Sequence, residues 1–135
     1  GTLHTNYEGK AKAAVERFRA GDDFIYLHVE GPDECSHQGN LEEKIQCLEE
    51  IDQRVLKPIW EYLESQEEPY RILVLPDHKT PLRIRTHSSE PVPFVLFDST
   101  KIKEPQPENG FNEVSGAKGM VFDSGHQLAD YFFQG

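Results

Sequence analysis

Two polar residues, Asp33 and His37, follow an apolar stretch and are spaced so that they could share a metal ion. The stretch, FIYLHV at 24–29, is rich in aromatic and β-branched residues and ends at Gly31-Pro32, which predicts a strand buried on both faces. In open α/β sheets ligands bind in the loops at the carboxyl ends of strands, where a carboxylate and an imidazole are candidate metal ligands. Taken alone, this pair slightly favours a turn-capping aspartate and a surface histidine, because such spacings often arise by chance.

Three more carboxylate or imidazole side chains follow predicted strands later in the chain. Asp77 and His78 come directly after the apolar run 70–75, and His87 follows the short alternating run 82–86. Together with the first pair they give five oxygen and nitrogen donors, a mixture that suits Mn, Zn, Mg or Fe. Two such ions fit phosphoryl transfer, because they can hold the attacking and leaving oxygens. We therefore expect all five donors to converge at one edge of a sheet.

Helical patterns separate these strands and indicate how the donors are positioned. Asn40 and Glu43 have the spacing of a capping box, and an apolar stripe then runs through 41–63, with a kink expected at Pro58. A strand, a long helix and a second strand predict a right-handed crossover with parallel strands. The fold class is therefore α/β, with a mainly parallel sheet flanked by helices. Further predicted elements are a helix at 7–19, a strand at 94–97, a long surface loop at 98–119 and a final helix that starts at 124.

Composition limits the partners that the chain can have. Its 135 residues suit one domain, and a formal net charge of -10 disfavours nucleic acid. No apolar run approaches the roughly 20 residues that span a bilayer, and the sequence does not start with a secretory leader. Cys35 and Cys47 indicate free thiols in a reducing compartment, and Cys35 is expected to point away from the neighbouring donors. We expect a cytoplasmic protein that binds neither nucleic acid nor a membrane.

Four stretches of the sequence resemble the cofactor-independent phosphoglycerate mutases, above all their archaeal-type branch, within the alkaline phosphatase superfamily. They are NYEGKAKAAVERF, DFIYLHVEGPDECSHQGNLEEKIQCLEEID, LVLPDHKTP and RTHSSEPVPF, which together cover 6–97 in the family's order and spacing. The resemblance implies that the sheet is part of an alkaline phosphatase-like fold. It also implies that residues 1–135 are the carboxyl-terminal part of its metal-binding domain, a fragment without the amino-terminal segment and the lid domain.

The same resemblance implies two divalent metal ions, with Mn the expected metal and Zn, Mg or Fe the alternatives. Asp33, His37 and His87 look like the ligands of one ion, and Asp77 and His78 look like half the ligands of the second. The family's remaining aspartate and its nucleophilic serine come from the absent amino-terminal segment. No catalytic residue is therefore assigned in this chain.

The implied reaction of the parent enzyme interconverts 3-phosphoglycerate and 2-phosphoglycerate through a phosphoserine intermediate. One alternative is another metal-dependent phosphotransferase or phosphatase of the superfamily, including a homoserine kinase-like role. The other is a non-catalytic metal-binding module. We expect the fragment alone to be inactive, and to self-associate through strand edges and apolar side chains that the rest of the parent would cover.

Overall fold

The computed structural model describes residues 2–101 and 110–134, which fall into two compact units. The first unit comprises the residues up to 68 together with 80–88, and the second comprises 69–79 together with the residues from 89 onward. The helices of the first unit are α1 (Tyr7–Arg19), α2 (Gly31–Gln38), α3 (Leu41–Ile51) and α4 (Lys57–Ser65). The elements of the second unit are β1 (Arg71–Val74), β2 (Val95–Asp98), α5 (Glu113–Gly116) and α6 (Gly125–Gln134).

The first unit is helical, and two of its helices, α1 and α3, begin at an asparagine cap. The Asn6 side chain accepts a hydrogen bond from the Gly9 amide at the start of α1, and Asn40 accepts one from the Glu43 amide at the start of α3. Between α3 and α4 the chain makes one π-helical turn over Asp52–Leu56. This turn lies directly before Pro58, which has no backbone donor, so the wider turn accommodates the proline where a kink was predicted. The predicted helices at 7–19 and 41–63 are therefore confirmed.

The predicted strand at 24–29 is wrong. These residues form neither helix nor strand, and Phe24 and Tyr26 are 51% and 75% exposed instead of buried. A strand needs a neighbour to satisfy its backbone groups, and no strand among the described residues pairs with this stretch. The residues that follow it also differ from prediction, because 31–38 form helix α2 and not a loop.

The sheet of the second unit does not confirm the predicted parallel crossover. Strands β1 and β2 pair in antiparallel fashion, with Arg71 opposite Asp98 and Val74 opposite Val95. The mainly parallel sheet is not confirmed, because the described residues contain only this two-stranded sheet. The predicted strand at 82–86 is also wrong. Residues 82–85 form a turn, in which the Pro81 carbonyl accepts hydrogen bonds from the Ile84 and Arg85 amides.

A buried ion pair joins the sheet of the second unit to its last helix. Asp98 is 2% exposed and accepts hydrogen bonds from the Thr100 amide and hydroxyl and from the Arg71 guanidinium. Arg71 also donates to the Phe132 carbonyl in α6, and Leu128 of the same helix is buried. Hydrogen bonds from Thr100 and then from Arg71 hold the pKa of Asp98 well below its usual range. The predicted final helix is confirmed.

Part of the predicted surface loop at 98–119, residues 102–109, lies outside the described residues. Within the remainder, α5 is a single short turn whose cap Asn112 accepts a hydrogen bond from the Ser115 amide. Across the described ranges no helix combines the length and apolar character needed to cross a bilayer.

Candidate metal centre

Three of the five predicted donors lie together in the first unit. One ligand atom from each of Asp33, His37 and His87 lies within 4.8 Å of the other two. Nε2 of His37 is 3.2 Å from Oδ2 of Asp33 and 3.2 Å from Nε2 of His87. Nε2 of His87 is 3.4 Å from Oδ1 of Asp33. The three side chains therefore present one compact set of one carboxylate and two imidazoles.

Helix α2 places the first two donors on one face. Asp33 and His37 are four residues apart, and residues at this spacing lie one above the other along a helix. The helix begins with Gly31-Pro32, where a proline is tolerated in the first turn, and it ends at Gly39 in the left-handed conformation with φ 71°. The helix therefore brings the pair together, where the sequence predicted a loop.

The third donor arrives on the segment 80–88, which packs against the end of α2. A Cβ added at Gly39 would lie 2.5 Å from Nε of Arg85 and 2.8 Å from its guanidinium carbon, so the arginine side chain needs the space that glycine leaves. Arg85 has φ 52° at the end of the 82–85 turn, two residues before His87. This close approach positions His87 beside the exposed face of α2.

A backbone hydrogen bond fixes the orientation of the His37 ring. Nδ1 of His37 lies 2.9 Å from the Arg85 carbonyl oxygen. A carbonyl can only accept, so Nδ1 donates this hydrogen bond, and Nε2 is the ring nitrogen that faces Asp33 and His87. This pairing of one ring nitrogen with a carbonyl, and the other with the cluster, is the usual arrangement of a metal-binding histidine.

The donor set fits a divalent transition metal in chemistry and in spacing. One carboxylate oxygen and two imidazole nitrogens suit Mn, Fe or Zn. Ligand bonds of about 2.0–2.2 Å place neighbouring donors roughly 3.0–3.5 Å apart around one ion. The two imidazole Nε2 atoms lie 3.2 Å apart, and each of them lies 3.2–3.4 Å from a different oxygen of the Asp33 carboxylate. The side chains of Asp33, His37 and His87 are 31%, 37% and 54% exposed, so an ion or a small substrate can reach them.

The two other predicted ligands lie in the second unit. Asp77 and His78 follow β1, as expected, and the His78 amide donates to Oδ1 of Asp77 over 3.0 Å. Nε2 of His78 is 3.5 Å from the same oxygen. They are not members of the three-donor cluster, and their convergence with it stays a prediction.

Two neighbours of the cluster were not singled out by sequence reasoning. The Thr80 hydroxyl donates to Oδ1 of Asp33, and the Arg85 carbonyl holds His37. Both lie in stretches quoted above, LPDHKTP and RTHSSEPVPF, but nothing in their residue types indicates these contacts. Cys35 points away from the donors as expected. Its sulfur is 3.6 Å from that of Cys47, both thiols are free and buried, and burial raises the pKa of Cys35 to about 11.

Comparison with known proteins shows the family to which the chain belongs. A family model described as the Metalloenzyme superfamily matches residues 2–127. The chain belongs to the Metalloenzyme superfamily. Membership of this superfamily implies binding of a divalent metal, which agrees with the donor set described above.

Relatives of this metalloenzyme chain carry a more specific name. It is 44% identical over 126 residues to the 2,3-bisphosphoglycerate-independent phosphoglycerate mutase of Methanosarcina mazei, a match that covers 90% of this chain and 31% of that protein. It is 47% identical over 131 residues to the probable 2,3-bisphosphoglycerate-independent phosphoglycerate mutase of Geobacter sulfurreducens, covering 96% and 32% of the two. The chain thus spans about a third of these relatives' length. No solved structure matches it. The resemblance to this mutase family is confirmed.

Proposed function

We propose that this chain is the metal-binding, carboxyl-terminal part of a 2,3-bisphosphoglycerate-independent phosphoglycerate mutase. The full-length protein would interconvert 3-phosphoglycerate and 2-phosphoglycerate. The observation that carries the proposal is the compact cluster of Asp33, His37 and His87 in a chain 44–47% identical to proteins named as such mutases. Those names favour a mutase over another phosphotransferase or phosphatase, and over a module without chemistry.

In this proposal Asp33, His37 and His87 hold one divalent ion, and Mn is the metal we propose. The bound ion would supply positive charge that stabilises negative charge on phosphoryl oxygens. Asp33 contributes the one anionic donor of the set. His37 is held through Nδ1 by the Arg85 carbonyl, so its Nε2 is oriented before any ion arrives. His87 completes the set from the most exposed position, on the side that substrate can reach.

Asp77 and His78 are proposed as half of the ligand set for a second ion. Support comes from their adjacent positions after β1 and from the resemblance of LPDHKTP to the family's motif. The other ligand and the nucleophilic serine are proposed to lie in the part of the full-length protein that this chain does not represent. The phosphoserine intermediate is therefore assigned to that part, and this chain supplies metal ligands alone.

The proposed partner is phosphoglycerate, a small-molecule substrate, with neither nucleic acid nor a membrane involved. We propose a cytoplasmic location, which the two free thiols support because disulfides are rare in that compartment.

The test is an activity assay on the full-length protein that contains this chain. Purified enzyme is supplied with Mn and 3-phosphoglycerate, and formation of 2-phosphoglycerate is followed. We expect turnover that falls by at least about 100-fold in Asp33→Asn, because loss of a direct ligand should exceed the roughly 10–100-fold effect of losing a residue that only supports a ligand. The matched control is Asp130→Asn, at an exposed position of α6, which should retain full activity. Full activity in Asp33→Asn, or no mutase activity in the parent, would contradict the proposal.

A further inference from the structure

Thr80 is a buried threonine on the segment 80–88, which also carries His87. Its side chain contacts α2, the helix of Asp33 and His37. It is 6% exposed, and its hydroxyl donates a hydrogen bond to Oδ1 of Asp33. Its backbone carbonyl accepts a hydrogen bond from Nζ of Lys44 on α3, over 3.1 Å. Thr80 is therefore held from one side by α3 while it contacts a proposed ligand on α2.

We propose that Thr80 is a positioning residue of the metal centre, which orients the Asp33 carboxylate for the ion. This inference rests on the proposed function, because it assumes that Asp33 is a metal ligand. The terminal torsion of an aspartate is broad, so an unsupported carboxylate samples many orientations. The hydrogen bond from the Thr80 hydroxyl to Oδ1 restricts that rotation and keeps Oδ2 beside Nε2 of His37, 3.2 Å away.

The hydroxyl is well placed for this role because its own surroundings restrict it. Burial leaves little water to compete for the hydrogen bond, and Pro81 limits the backbone conformations that Thr80 can adopt. The bond spans 47 residues of sequence, so it connects two separate parts of the first unit.

The segment 80–88 thus holds both proposed ligands of α2, Asp33 and His37, and carries the third proposed ligand, His87. The Thr80 hydroxyl holds Asp33, the Arg85 carbonyl holds His37, and His87 follows two residues later. Preorganised ligands lose less conformational freedom when an ion binds, so removal of such a support weakens metal affinity. Thr80 acts on the carboxylate, and it is not itself proposed as a ligand.

The test is calorimetric titration of the complete 135-residue chain with Mn²⁺, combined with thermal melts of each variant without metal. Thr80→Val removes the hydroxyl and keeps the shape, and we expect its Mn²⁺ affinity to fall by about 10–100-fold. Thr80→Ser keeps the donor and should lie within about threefold of the parent. Thr80→Ala is the second variant if valine prevents folding, and the same loss is expected for it.

A matched control separates positioning from a general effect on stability. Thr100 also donates its hydroxyl to an aspartate, Asp98, but in the second unit. Thr100→Val should lower the melting temperature without changing Mn²⁺ affinity. Parental affinity in both Thr80→Val and Thr80→Ala, or a loss in Thr80→Ser as large as in Thr80→Val, would overturn the role of Thr80.

The experiment also distinguishes this inference from the function on which it rests. Parental affinity in the Thr80 variants, with binding lost in Asp33→Asn, would overturn the positioning role and leave the metal centre standing. Absence of Mn²⁺ binding in the parent, or parental affinity in Asp33→Asn, would overturn both.

Discussion

Removal of one donor from the cluster should abolish most of the stability that a metal ion confers. A ligand that binds only the folded state stabilises it by RT ln(1 + [L]/Kd), which is about 2.7 kcal/mol at a concentration of 100 times Kd. We predict that His87→Ala loses most of this gain. The matched control is His126→Ala, because His126 lies at the exposed start of α6, where its ring contacts the Ser124 hydroxyl.

The structure sets the expected magnitude. His87 provides one donor of three and its side chain is 54% exposed, so its loss should change metal-free stability little. Residues that merely support a ligand contribute about 10–100-fold to metal affinity, so loss of a ligand should raise Kd by at least about 100-fold. At the same metal concentration the variant then gains only about 0.4 kcal/mol, roughly 2.3 kcal/mol less than the parent. For a chain of this size that difference is about 9 °C in melting temperature.

The assay is thermal unfolding of the parent, His87→Ala and His126→Ala, each with Mn and with chelator. We expect the metal-induced rise in melting temperature in the parent and in His126→Ala, and a rise smaller by about 9 °C in His87→Ala. Equal rises in the parent and His87→Ala would refute the reasoning, because the ring would then contribute nothing to the binding of the ion.

Three further predictions concern stability, activity and association. Asp98 has a lowered folded-state pKa, so its ionised form stabilises the fold above its unfolded pKa of about 4, and this contribution is lost as pH falls from there towards the folded pKa. Asp98→Asn should therefore be less stable than the parent at pH 7, with a gap that narrows below pH 4 in urea melts; a constant gap would contradict the assignment. The 135-residue chain alone should bind at most one Mn²⁺ and give no 2-phosphoglycerate, because it supplies three proposed ligands for one ion and only two for the other; sustained turnover would contradict this. Exposed apolar residues such as Phe24 and Leu41 should also make the chain self-associate, and a concentration-independent monomer in sedimentation velocity would count against that expectation.

The sequence predicted the helices at 7–19 and 41–63 and the strands at 70–75 and 94–97, whereas the strands predicted at 24–29 and 82–86 and the loop predicted at 31–38 were wrong, for a physical reason. Caps such as Asn6 and Asn40 act within one turn, so the information that starts a helix is local. A strand depends on its partner. The stretch 24–29 has strand composition but pairs with no strand in the described ranges, and β1 pairs with β2 in antiparallel fashion, where the sequence had predicted a parallel neighbour.

The sequence predicted that Asp33, His37 and His87 lie together, but it did not predict the hydrogen bonds that hold Asp33 and His37 in place. Asp33 and His37 meet because 31–38 is a helix, on which a four-residue spacing places both side chains on one face. The contacts made by Thr80 and Arg85 span 47 and 48 residues, so they depend on tertiary structure that no local pattern shows. Resemblance to the mutase family pointed to the candidate ligands, whereas the contacts of Thr80 and Arg85 with Asp33 and His37 became visible only in the structure.

The most direct test of the metal centre is anomalous diffraction from crystals of the chain grown with Mn²⁺, measured at the manganese edge. We expect a peak within about 2.0–2.3 Å of an Asp33 carboxylate oxygen, Nε2 of His37 and Nε2 of His87. A manganese peak bound elsewhere, with these three side chains left without an ion at saturating Mn²⁺, would contradict it.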